Sequence, residues 1–115
     1  MEVLGIDIGG TGIKGAIVDT ETGELLTERH RILTPRPATP EAIAKTIKAM
    51  VDHFKWTGIA GSGFPTPLSK GKALGGGNLH KTWKGVQVDT LFKEATGIDF
   101  TVINDADAAA LAEIH

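Results

Sequence analysis

An α/β domain with a mixed sheet is the fold this chain predicts, and three observations carry the prediction. Strand-length apolar runs fill the first third of the sequence. Two segments with helical spacing and recognisable ends follow. Further short apolar runs alternate with those helices. Three successive strands imply a meander, and the later alternation implies crossover connections. The expected order is β-β-β-α-β-α-β-α, giving a five-stranded mixed sheet covered by helices.

Residues 3–8 ("VLGIDI") form an apolar run with one acid, consistent with an interior strand. A glycine-rich turn leads to residues 13–19 ("IKGAIVD"), again strand-like, ending in the turn chemistry of "DTETG". Residues 24–33 ("ELLTERHRIL") are expected as a third strand, at a sheet edge because of their polarity. Thr39 is placed to cap a helix with Pro40 at its first position, and Ile43, Ile47, Met50, Val51 and Phe54 form its apolar face. Residues 56–65 ("WTGIAGSGFP") read as a buried strand running into a glycine-proline loop. The next stretch, "TPLSKGKALGGGNLHKTW", is irregular, with a small hairpin about Lys70-Gly71. Val88, Leu91, Phe92 and Ala95 make a second amphipathic helix, stopped by Gly97. Residues 99–105 ("DFTVIND") form a last strand before the helical "ADAAALAEIH". The chain ends inside that helix, as expected of a fragment or of a domain whose partner half lies elsewhere.

Bulk properties narrow the function. A length of 115 residues supports one domain, here residues 1–115. Twelve basic and fourteen acidic side chains give a formal charge of −2 with no basic block, which argues against nucleic acid as a partner. The absence of cysteine removes disulfides and thiolate metal sites. No signal peptide or membrane-length apolar run is present, so the expectation is a soluble cytoplasmic protein without a membrane partner. The fifteen glycines cluster, which points to tight turns.

The first cluster raises a choice. In "DIGGTGIKGAIVD" (residues 7–19), Gly10, Gly12 and Gly15 have G-x-G-x-x-G spacing. A dinucleotide site needs a helix after that turn, whereas β-branched residues and an early second turn follow it here. A Walker-type loop fails as well, since "KGKA" (residues 70–73) lacks the required spacing. What remains is strand, glycine turn, strand. Gly9, Gly10 and Gly12 would let backbone N–H groups approach an anion without interference from a Cβ. Thr11 could donate its hydroxyl to a phosphoryl oxygen, Lys14 could add charge, and Asp7 could hold a hydrated Mg²⁺. A plain glycine-rich hairpin with Asp7 as a turn acceptor fits the same residues, and Gly15 reads as a packing glycine.

The segment "DIGGTGIKGAIVD" resembles the first phosphate motif of the sugar-kinase, Hsp70 and actin superfamily, and within it the ROK family (repressors, open reading frames, kinases). "GSGFP", "GNLHKTWKG" and "VINDADAAALAE" resemble that family's later segments, in the same order. The forms "GGTGIKGAIVD", "WKGVQVDTLFKEATG" and "NDADAA" are most like polyphosphate glucokinases. The resemblance implies a ribonuclease H-like fold of the actin/hexokinase type. It also implies phosphoryl transfer from polyphosphate or ATP to the 6-hydroxyl of glucose or a related hexose, with Mg²⁺. The reaction asks for a carboxylate that takes a proton from the attacking hydroxyl. Asp105, at a strand-to-helix junction, suits that role, and the resemblance assigns it the same one; capping the helix is compatible with it.

By resemblance, Asn78 and Asn104 contact the hexose. Thr66 in "SGFPTP" is a further candidate, a rigid proline turn being the other reading. Asp107 is given a surface or supporting place. Trp56 and Trp83 read as packing residues. His30, His53, His80 and His115 lack metal-ligand spacing and read as surface residues, with only His80 near the sugar loop. Kinases of this family carry a C-terminal domain that supplies the nucleotide pocket and often a zinc site, none of which maps onto this chain. The expected partners are therefore hexose, phosphoryl donor, that absent domain and a second copy in the intact protein, and the isolated domain is expected to be inactive. The alternative is a non-catalytic sugar-binding domain of a ROK-type regulator.

Overall fold

The computed structural model describes residues 1–77 and 79–104. β1 (Glu2–Ile8) and β2 (Gly12–Asp19) form an antiparallel hairpin in which Ile8 faces Ile13 and Asp7 faces Lys14. β3 (His30–Leu33) pairs antiparallel with β2, placing Arg31 opposite Lys14. After α1 (Pro40–Phe54), β4 (Ala60–Phe64) lies parallel to β1. β5 (Leu68–Ser69) and β6 (Lys72–Ala73) make a small separate hairpin about Lys70-Gly71, as expected, with both turn residues at positive φ. A 3-10 turn (Lys81–Trp83) and α2 (Val88–Thr96) follow, and β7 (Phe100–Asn104) then adds parallel to β4. The main sheet has the order β3-β2-β1-β4-β7, which is the mixed five-stranded sheet expected. The third expected helix falls in residues 105–115, outside the described residues.

Alternation along β1 and β2 divides the sheet into two faces. Leu4, Ile6, Ile8, Ile13 and Ile17 are buried together with Ile43, Ile47, Met50 and Val51 of α1. A Cβ on Gly15 would sit 2.8 Å from Met50 Sδ, so Gly15 is the packing glycine expected. Thr39 caps α1 by accepting the Ala42 N–H (3.3 Å), and Gly97 closes α2 in the left-handed conformation (φ 80°). Trp83 is fully buried against the edges of Phe64 and Phe92, and its Nε1 donates to the Ala38 carbonyl (2.8 Å). Among the described residues, no helix is long and apolar enough to cross a membrane.

Two expectations are corrected. The third strand spans four residues, because the Thr27 hydroxyl takes the Ile17 N–H (3.1 Å) and interrupts the ladder after a single Val18–Leu25 bridge. The fourth strand starts at Ala60, since Lys55 and Trp56 spend their N–H groups closing the end of α1. His53 is exposed and His30 half-buried, in line with the surface reading, and their rings stack 3.6 Å apart, each edge-on to Phe54.

Candidate phosphate-binding turn

The parallel strands β1, β4 and β7 end side by side, and in open α/β sheets that is where ligands bind. β1 runs there into Gly9–Thr11, β4 into Pro65-Thr66, and β7 ends at Asn104. The glycine turn, the start of the "PTP" loop and Asn104 thus lie along one sheet end, although they are far apart in sequence.

The turn between β1 and β2 is closed by the Gly9 N–H, which donates to the Gly12 carbonyl (3.0 Å). Gly9 therefore shapes the turn and does not offer its N–H outward, a correction to its expected part. The other three carbonyls of the turn are held by the segment after β3. The Thr34 hydroxyl donates to Gly9 O (2.7 Å), Arg36 Nη2 to Gly10 O (2.6 Å), and the Thr34 N–H to Thr11 O (3.1 Å). The N–H groups of Gly10 and Thr11 have no partner among the described residues. Carbonyl dipoles are pinned while amide donors stay open, which is the polarity an anion requires.

Thr34 carries no signal in the sequence for this place beside the turn. Nothing in "ILTPRP" marks it locally, since its partners lie more than twenty residues away. Thr34→Val keeps the backbone bond and removes the hydroxyl, leaving Gly9 O without its partner. The expected outcome is a loss of about 1–2 kcal/mol of stability in chemical denaturation.

Asp7 and Lys14 share the outer sheet face and are both exposed. Neither forms an ion pair with a described residue. They border a trough of about 560 Å³ whose lining includes Gly5, Ala16, Gly61 and Gly63. Small residues give this face its depth.

Thr66 is 1% exposed, and a Cβ on Gly77 (φ 53°) would lie 2.6 Å from its Cγ2. The structure thus brings Thr66 beneath the glycine-rich loop rather than to the surface. His80 opens the 3-10 turn by accepting the Thr82 N–H through Nδ1 (3.2 Å). Trp83 ends that turn and reaches Ala38, so residues 34–38 touch the β1–β2 turn at one end and the glycine-rich loop's exit at the other. Asn78, Asp105 and Asp107 lie outside the described residues, and Asn104 is described only as the last position of β7, opposite Phe64.

Residues 3–115 match the ROK family. The chain is 48% identical over 111 residues to the polyphosphate glucokinase of Mycobacterium tuberculosis, covering 96% of this chain and 42% of that protein. Its fold superimposes with a TM-score of 0.93 on the inorganic polyphosphate/ATP-glucomannokinase of Arthrobacter sp. strain KM, at 42% identity, covering 97% of this chain and 47% of that one. A ROK family glucokinase from Streptomyces griseus, solved with glucose and AMPPNP, gives 0.82 at 29% identity, covering 96% of this chain and 35% of that one. The chain therefore spans less than half the length of these relatives.

Proposed function

The chain belongs to the ROK family, and from that premise we propose that it is the N-terminal part of a glucokinase. The intact protein would transfer the terminal phosphoryl group of polyphosphate or ATP to the 6-hydroxyl of glucose. The observation that carries this reading is the turn, where pinned carbonyls leave the Gly10 and Thr11 amides open at the ends of the parallel strands. Such transfer depends on positioning and charge neutralisation more than on covalent chemistry.

Gly10 and Thr11 receive the phosphoryl oxygens through their N–H groups, and the Thr11 hydroxyl adds a donor. Gly9 and Gly12 close the turn, and Lys14 contributes positive charge. Asp7 fits Mg²⁺: it is an exposed carboxylate beside the turn, outside any ion pair with a described residue, and a cation that keeps several waters needs only one or two carboxylates plus donor phosphates. Bound there through water, the ion would neutralise charge on the donor. Asp105 accepts the proton of the attacking hydroxyl. Asn78 and Asn104 hydrogen-bond the hexose, and Thr66 supports the loop that carries Asn78. The rest of the intact protein supplies the other wall of the cleft, and two copies assemble.

The test is direct. The intact gene product, given glucose with long-chain polyphosphate or with ATP, should form glucose 6-phosphate in a coupled dehydrogenase assay. Absence of product with both donors would overturn the reading.

A further inference from the structure

We propose that Arg31 and Arg36 bind the non-transferred phosphates of an extended inorganic polyanion and so favour polyphosphate at this turn, a proposal that rests on the phosphoryl-transfer reading above. Both guanidinium groups lie against the turn. A Cβ on Gly12 would lie 2.6 Å from Arg31 Nε and 2.8 Å from its Nη2, so the side chain of Arg31 lies over the bare Cα of Gly12. Arg36 donates one N–H to Gly10 O and keeps its remaining donors for other acceptors. Arg31 also stands directly opposite Lys14 in the β2–β3 ladder.

Like charges directly opposite each other on neighbouring strands are unfavourable. Here none of the three cations forms an ion pair with a described residue, and all three are exposed. An anion lying among them turns that repulsion into attraction. Guanidinium groups match phosphate oxygens in pairs, and several in a row suit a chain of phosphates better than one. The geometry favours a donor made only of phosphates.

The test uses the intact gene product and its Arg31→Gln, Arg31→Lys and Gly12→Ala forms. Arg36 is left in place, because it also anchors the turn. Arg31→Gln should raise KM for long-chain polyphosphate about tenfold, with a smaller effect on tripolyphosphate and a change within about twofold for ATP. Its KM for the long chain should also depend less on salt. Arg31→Lys should recover part of the loss. Gly12→Ala, which pushes the guanidinium aside without removing its charge, should shift the long-chain KM in the same direction. Equal effects on all donors, or no effect, would overturn the proposal and leave the kinase reading standing. Failure of the unsubstituted protein to phosphorylate glucose counts against that reading alone. Fluorescence anisotropy with labelled long-chain polyphosphate then decides: weaker binding by Arg31→Gln supports the proposal, and unchanged binding, or equal competition by single-stranded DNA of the same charge, refutes it.

Discussion

Replacing Asp105 by asparagine in the intact gene product is expected to lower kcat about 10²–10⁴-fold, the range for loss of a positioned general base. KM for glucose should stay within a few-fold, because the amide keeps the size and much of the hydrogen bonding of the carboxylate. Asparagine also caps helices as well as aspartate does, so the fold should survive the change. Asp105 follows Asn104 in sequence, and Asn104 ends β7 on the edge where the β1–β2 turn and the β4 loop also emerge. On the proposed reading, a hydroxyl attacking a phosphoryl group at Gly10 and Thr11 would need a proton acceptor near that edge. Steady-state kinetics at saturating donor, with the melting temperature as control, would check this. A variant that turns over at the unsubstituted rate removes Asp105 from the role.

The largest loss of stability is expected at Trp83. Trp83→Ala should cost about 3–5 kcal/mol, a large share of the 5–15 kcal/mol typical of a domain. The indole is 0% exposed, with ring centroids 4.8 Å from Phe64 and 6.5 Å from Phe92. Truncation leaves a cavity and strips the Ala38 carbonyl of its buried donor. Trp83→Phe separates the two effects, since it keeps most of the packing and loses the hydrogen bond, and should cost about 1–3 kcal/mol. Urea denaturation with unchanged m-values is the measurement. A shift below about 1 kcal/mol for the alanine form would show that the core can close over the gap.

Much of the fold was legible because it follows from local pattern. Ile43, Ile47, Met50 and Val51 declare the buried face of α1, Thr39 and Pro40 its start, and Lys70-Gly71 the small hairpin. One departure arises where a side chain replaces a backbone partner. The Thr27 hydroxyl on Ile17 shortens the third strand, and nothing in "ELLTERHRIL" announces that bond. The turn was recognisable from its glycines, but their division of labour was not. Whether Gly9 spends its N–H inside the turn depends on three-dimensional closure. The clamp by Thr34 and Arg36, and the seat of Arg31 over Gly12, join residues 19 to 26 positions apart and leave no periodic trace. The pairing of His30 with His53 was hidden for the same reason.

Residues 34–38 act as a ruler. Thr34 is bonded to the β1–β2 turn and Ala38 to the exit of the glycine-rich loop, with only three residues between them. Four peptide steps span at most about 15 Å of extended chain. The distance between the two ends therefore cannot exceed that covalent length. Point substitutions within the segment leave that limit untouched, while adding or removing a residue moves one end relative to the other.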